Sequence, residues 1–116
     1  MTTAHARNQG PLAFGIDVLH RGRRARVTVG GELDIATVPA LERALIEQTR
    51  IGRTVVLDLR ELSFIDATGL GLLLRTNAHA RRDGIEFAVL PGPRVQRLLD
   101  LCGLTAQFST LGPQPH

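Results

Sequence analysis

Apolar and polar residues alternate along the first third of the chain, which is the pattern of β-strands with one covered face. The alternation predicts a strand over residues 12–19 and a second one over residues 25–31. Residues 20–24 between them are polar and include a glycine, as expected of a hairpin turn. We therefore predict two antiparallel neighbours, with the arginine-rich residues 21–26 at the turn.

Three later segments have apolar residues spaced three and four apart, which predicts amphipathic helices. The first helix follows Thr37, which we expect to cap its amides, closes at residues 51–52, and has an inward face of Val38, Leu41, Ala44, Leu45 and Gln48. The second covers residues 67–83 and ends before Gly84, with an inward face of Leu70, Leu73, Leu74, Asn77 and Ala80. The third opens at Pro93 and is capped by Gly103, with Val95, Leu98, Leu99 and Cys102 inward.

Shorter apolar runs between these helices predict further strands at residues 54–59, 86–90 and 108–110. The resulting order, β-β-α-β-α-β-α-β, predicts a single α/β domain in which helices pack on a mixed β-sheet. We expect this domain to span residues 12–111. Residues 1–11 and 112–116 are predicted to be flexible ends.

Composition excludes several kinds of protein. The 116 residues are 43% hydrophobic, which fits one globular domain, and no apolar run is long enough for a membrane span. The polar first residues lack the apolar stretch of a signal peptide, so we expect a cytoplasmic protein. One cysteine and four dispersed histidines predict no disulfide, no metal site and no cofactor.

Charge gives a weaker signal. All fourteen basic residues are arginine, against eleven acidic residues, for a net charge of +3. The arginines within residues 21–26 raise the alternative of a nucleic-acid partner. Only four phenylalanines and no tyrosine or tryptophan are present to stack on bases, so a solvated basic surface is the favoured interpretation.

The most informative segment comes after the predicted central strand. A short turn there brings Asp66 to a helix N-terminus, where its carboxylate can accept hydrogen bonds from unpaired amides. Gly69 and Gly71 follow in the first turns, and each lowers helix stability by about 1 kcal/mol relative to alanine. A close approach of the backbone to another part of the molecule would explain them. An ordinary capped helix with tight packing is an equal alternative at this point.

Two motifs in this region resemble a known family. Residues 64–71, with the sequence FIDATGLG, and residues 31–34, with the sequence GELD, are similar to those of STAS domains of the anti-sigma factor antagonist type. The resemblance covers about residues 12–110. It implies a domain that binds an anti-sigma factor, itself a serine/threonine kinase, and so releases a sigma factor. It also implies that phosphorylation of a hydroxyl residue directly after the motif aspartate breaks the complex.

This sequence departs from the family at that acceptor position, where Ala67 has no hydroxyl group. Our hypothesis is that the protein binds its partner without the usual phosphorylation switch, and Thr68 is the weaker alternative as a substitute acceptor. Leu72 and Arg75 are expected on the solvated face of the second helix, with Leu72 as an apolar anchor. The predicted partner-binding residues are Asp34, Thr37, Asp66, Ala67, Thr68, Gly69, Leu72 and Arg75.

Other functions remain open on sequence grounds. No histidine or lysine base accompanies Asp66 or Thr68 in the sequence, so we predict no catalytic residues and no enzymatic activity. A STAS-type interaction scaffold in another signalling complex is the main alternative, followed by the basic nucleic-acid-binding protein. The sequence does not decide whether the domain forms a homodimer.

Overall fold

The structure is a computed structural model that describes residues 14–52 and 54–110. Its strands are β1 (Gly15–Arg21), β2 (Arg24–Leu33), β3 (Thr54–Ile65), β4 (Phe87–Leu90) and β5 (Ser109–Thr110). Its helices are α1 (Val38–Arg50), α2 (Ala67–Arg82) and α3 (Gly92–Leu101), with a 3₁₀ turn at Thr105–Gln107. This order confirms the predicted sequence of elements. Leu12 and the predicted ends 1–11 and 112–116 lie outside the described residues.

The five strands form one mixed sheet in the order β1-β2-β3-β4-β5. The hairpin partners β1 and β2 are antiparallel, as predicted, and the later neighbours are all parallel. Each parallel connection contains one helix, which returns the chain to the amino end of the sheet. The carboxyl ends of β2 and β3 therefore lie side by side.

The core is built on the sheet face to which Val27, Leu57 and Val89 belong. These three residues are register partners across β2, β3 and β4, and all are fully buried. Helix α1 contacts β2 and β3, and α2 contacts β3, β4 and α1. Leu41 and Leu73 bring these two helices into the same apolar cluster. No helix of the described residues is long and apolar enough to cross a membrane.

Strands β2 and β3 are longer than the sequence predicted. β2 continues past the predicted end at Gly31 to Leu33, and β3 continues to Ile65. The two extensions pair with each other, with Leu33 opposite Ile65, after register shifts that place extra β3 residues opposite β2. Bulges of this kind interrupt the regular alternation of apolar and polar side chains. The alternation along the sequence therefore does not reveal that β2 and β3 continue as paired strands.

The prediction that Leu72 lies on the solvated face of α2 is wrong, since only 1% of it is exposed. Helix α2 is covered on two sides, by the sheet and by the neighbouring α1. More of its surface is therefore buried than the single inward face that the sequence predicted. Leu70 and Leu74, predicted inward, are only half-buried.

Cys102 is exposed, which contradicts its predicted burial. The reason is that α3 ends at Leu101, so Cys102 lies in the turn that leads to Gly103 and no longer follows the inward face. Gly103 has φ of 69° and closes the helix as predicted. Val95 and Leu99 are fully buried, in agreement with the predicted face.

Candidate functional site

The carboxyl ends of β2 and β3 begin two adjacent turns, and we call this part of the molecule the β2–β3 edge. The backbone amide of Asp66 donates to the carbonyl oxygen of Leu33 over 3.2 Å. Asp34 directly follows Leu33, so the residues of the two sequence motifs, 31–34 and 64–71, meet here. The two motifs therefore lie at the same end of the sheet.

Asp66 caps α2, as predicted. Its Oδ1 accepts hydrogen bonds from the amides of Thr68 at 2.9 Å and Gly69 at 3.1 Å, and from the Thr68 hydroxyl at 2.5 Å. The Thr68 hydroxyl, followed by the Gly69 amide, holds the pKa of Asp66 below its usual value. The carboxylate is therefore negatively charged at neutral pH and fixed in direction at the helix N-terminus.

Ala67 and Thr68 are both exposed in the first turn of α2. The position directly after Asp66 thus presents a methyl group to solvent, while the nearest hydroxyl donates back to the Asp66 carboxylate. The chemistry available here is recognition by charge and shape.

Gly69 explains why the N-terminus of α2 can lie against the strand ends. A Cβ atom at this position would be 2.9 Å from Ile65 Cγ1 and 2.9 Å from Leu33 Cγ, closer than packed carbon atoms approach. Of the two alternatives for these glycines, close approach of the backbone applies at Gly69. It does not apply at Gly71, where a Cβ would meet only the Arg75 Nη1 atom at 3.5 Å.

Asp34 and Thr37 build the turn that leads into α1. Asp34 Oδ1 accepts hydrogen bonds from the amides of Ala36 at 3.0 Å and Thr37 at 3.2 Å. The Thr37 hydroxyl donates to the carbonyl oxygen of Glu32 at 2.8 Å and accepts from the Asp34 amide at 2.9 Å. Thr37 occupies the cap position, but its side chain makes no bond to the amides of α1, so its predicted capping role is wrong. The hydroxyl is occupied by the turn.

Arg75 and Leu72 lie farther along α2, apart from the β2–β3 edge. Arg75 is seven residues beyond Thr68, about 10 Å along the helix, and its Nη2 lies 3.7 Å from Glu42 Oε2 of α1. Arg75 and Leu72 line a groove of about 360 Å³ between α1 and α2. The other six predicted site residues, from Asp34 to Gly69, are together at the β2–β3 edge.

Two exposed residues at this edge are not among the predicted partner-binding residues. Ile35 lies in the turn after β2, and Phe64 lies near the end of β3, and both side chains are exposed. For Ile35, the sequence did contain an indication of exposure. This residue lies in a turn between Asp34 and a helix start, and such turns are usually made of small or polar residues. Phe64 was hidden because its segment was interpreted as a turn and not as strand.

The arginines of residues 21–26 divide into two groups. Arg21, Arg23 and Arg24 are exposed at or beside the hairpin turn, whereas Arg26 Nη2 donates to Asp58 Oδ2 over 2.9 Å. That pair removes one cation from the predicted nucleic-acid patch. Strand β2 has ten residues, so the hairpin lies about 30 Å from the β2–β3 edge.

Asp58 is a buried charge in the middle of the sheet, with 4% of its surface exposed. Arg60 Nη2 also donates to it, over 2.8 Å. Burial raises the pKa of Asp58, but the hydrogen bonds from Arg60 and Arg26 outweigh burial and lower it to about 2. Among residues 14–52 and 54–110, no cluster of three His, Cys, Asp or Glu side chains is arranged to hold a metal ion.

Comparison with known proteins identifies the family. The family model described as STAS domain matches residues 16–115. An anti-sigma-B factor antagonist of Staphylococcus aureus is 39% identical over 95 residues, covering 80% of this chain and 88% of that protein.

Solved structures give the same result. An anti-sigma factor antagonist from Mycobacterium paratuberculosis has a TM-score of 0.75 and 27% identity, and the match covers 92% of each chain. The Bacillus cell fate determinant SpoIIAA in its phosphorylated form shares the fold, with a TM-score of 0.68, 20% identity, and coverage of 85% of this chain and 91% of that one. On these matches, together with the two motifs that meet at the β2–β3 edge, the chain belongs to the STAS domain family of anti-sigma factor antagonists.

Proposed function

We propose that this protein is an anti-sigma factor antagonist that binds an anti-sigma factor of the serine/threonine-kinase type through the β2–β3 edge and so releases a sigma factor. The observation that carries the proposal is the fixed pairing of the two family motifs through the hydrogen bond from the Asp66 amide to the Leu33 carbonyl. This bond presents the Asp34 turn and the α2 N-terminus as one surface. The antagonist relatives support the choice of partner.

We further propose that binding is constitutive. Ala67 cannot accept a phosphoryl group, and the Thr68 hydroxyl donates to the Asp66 carboxylate. A phosphate on Thr68 would replace that hydrogen bond with about two negative charges beside an existing one. Both observations support a surface that stays competent for binding in the presence of kinase and ATP.

The first test is affinity capture with the wild-type chain and with Asp66→Lys, from a lysate of the source organism. We expect the wild type to retain an anti-sigma factor with a kinase domain, identified by mass spectrometry, and Asp66→Lys to lose it. Asp83→Lys is the matched control, since it makes the same charge change at the exposed C-terminal end of α2. Circular dichroism checks folding, because loss of the cap costs about 1 kcal/mol. Identical partner sets for wild type and Asp66→Lys would contradict the site.

The second test uses the captured anti-sigma factor with radiolabelled ATP. We expect no label on the wild-type chain and a stable complex. Ala67→Ser restores a hydroxyl at the acceptor position and should become labelled and dissociate. Label on Thr68 of the wild type would contradict constitutive binding.

A further inference from the structure

The exposed side chains of Ile35 and Phe64 lie within the proposed binding surface. Ile35 is two residues beyond Leu33, and Phe64 is two residues before Asp66. Leu33 and Asp66 are joined by the backbone hydrogen bond of 3.2 Å. Since each residue adds at most about 3.6 Å of chain, both Cα atoms lie within roughly 8 Å of that bond.

Other side chains make the contacts that close this edge. The turn that contains Ile35 is closed by hydrogen bonds of Asp34 and Thr37. The strand ends are packed through Leu33 and Ile65, the residues that would meet a Cβ on Gly69. Single exposed apolar residues are ordinary, but two of them beside a motif that the family uses indicate a contact surface.

Three acidic residues lie close to the pair along the chain. Glu32 is the register partner of Phe64, Asp34 precedes Ile35, and Asp66 is held ionised at the helix N-terminus. The exposed arginines of the hairpin are about 30 Å away, at the other end of β2. Protein interfaces place apolar anchors at the centre and polar groups at the rim, so the complementary surface has apolar pockets within a basic rim.

We propose that Ile35 and Phe64 are the apolar anchors of this chain, and that they enter apolar pockets rimmed by lysine or arginine on the anti-sigma factor. The inference rests on the proposed function and adds to it the residues that supply affinity and the chemistry of the partner's surface. Large apolar side chains at the centre of an interface commonly carry much of its binding free energy.

The test measures Kd by titration calorimetry, with the anti-sigma factor captured by the wild-type chain as the purified probe. Ile35→Ser and Phe64→Ser are each expected to weaken binding at least tenfold. The matched controls are Leu101→Ser and Ile51→Ser, because Leu101 is 79% exposed against 75% for Ile35, and Ile51 is 51% exposed against 46% for Phe64. The controls should stay within twofold of the wild type.

A salt series tests the charge of the partner's surface. Affinity should fall as sodium chloride rises, and Glu32→Gln should make that dependence shallower. If Ile35→Ser and Phe64→Ser bind like the controls while Asp66→Lys abolishes binding, the anchors are refuted and the proposed function stands. An affinity that does not change with salt refutes the basic rim. If the wild type captures no anti-sigma factor, both proposals fail.

Discussion

Gly69 and Gly71, two residues apart in α2, have different structural roles. A methyl group at Gly69 would overlap Leu33 and Ile65, whereas at Gly71 it meets only the Nη1 atom of Arg75, at an ordinary contact distance. We expect Gly69→Ala to lower the free energy of unfolding by about 1–3 kcal/mol through overpacking. Gly71→Ala should raise it by up to about 1 kcal/mol through helix propensity. Urea denaturation of both variants measures the difference.

The two substitutions are controls for each other, since they add the same atom to the same helix. Gly69→Ala should also weaken partner binding. The added methyl group pushes the start of α2 away from Leu33 and Ile65, and this displaces the turn that contains Asp66 and Thr68. Equal effects of the two variants on stability would mean that α2 does not depend on close contact with the strand ends.

A substitution at Ala67 distinguishes an effect on partner binding from an effect on the stability of the fold. Ala67 is the first residue of α2 and is exposed, so Ala67→Glu places a carboxylate where the helix dipole favours one. We expect the melting temperature to stay equal or rise slightly while binding to the anti-sigma factor falls at least tenfold, because the longer glutamate side chain fills space that the Ala67 methyl group leaves to the partner. Ala78→Glu, at an exposed position of the same helix, should bind normally. A binding-competent Ala67→Glu would place Ala67 outside the interface.

At the residue scale, local chemistry predicted Asp66 correctly and Thr37 incorrectly. The Asp66 carboxylate bonds groups of the first turn of α2 itself, so the rule for helix caps applied directly. The Thr37 hydroxyl instead bonds Glu32 and Asp34 in the preceding turn. That competition depends on how β2 ends, and β2 ends two residues later than its glycines suggested. The same late ending concealed Ile35 as an exposed residue of the site.

Among the elements, α2 is bonded through the buried side chain of Asn77 to the 3₁₀ turn that precedes β5. Asn77 donates to the carbonyl oxygen of Gln107 over 2.7 Å, which secures the 3₁₀ turn before β5. We expect Asn77→Ala to cost about 1 kcal/mol in unfolding free energy and to speed amide exchange in residues 105–110. Hydrogen-exchange mass spectrometry measures this local change.

Arg81→Ala is the control for Asn77→Ala, since Arg81 reaches the same carbonyl at 3.4 Å from an exposed position. Its effect on exchange in residues 105–110 should be small. If both variants exchange like the wild type, the hydrogen bond of Asn77 does not hold the turn.

At the element scale, the pattern of apolar residues predicted the strands and α-helices that the structure describes, but neither the 3₁₀ turn before β5 nor how the elements pack on one another. The inward stripe of α2 was derived as if one neighbour packed on it. Burial of Leu72 requires α1 beside it, and that neighbour is placed by tertiary packing. Likewise, the periodicity of α3 extends to Cys102, but the helix ends one residue earlier.

The acid stability of the whole domain should depend on Asp58, because its buried carboxylate accepts from Arg60 of its own strand and links β3 to β2 through Arg26. Its pKa of about 2 lies below the unfolded value of about 3.9, so its contribution is present above pH 4 and is lost as the pH falls toward 2. We expect about 2 kcal/mol from this linkage. Urea denaturation of the wild type and Asp58→Asn between pH 2 and 5 measures it.

The difference in unfolding free energy between these two proteins should grow as the pH rises from 2 to 4 and then stay level. Asp83→Asn removes an exposed carboxylate and serves as the control, with a nearly constant difference over the same range. A constant difference for Asp58→Asn would mean that the two arginines do not stabilise the charged form.

The distance between the arginine hairpin and the β2–β3 edge has a practical consequence for surface-based assays. A cation-exchange support attracts Arg21, Arg23 and Arg24, which are about 30 Å from the acidic edge. Molecules adsorbed in this way stand with the hairpin toward the support and with Asp66 toward the solution. On a chip coated with sulfonate groups, molecules held through the hairpin would therefore leave the proposed binding surface free, without a tag and without covalent coupling.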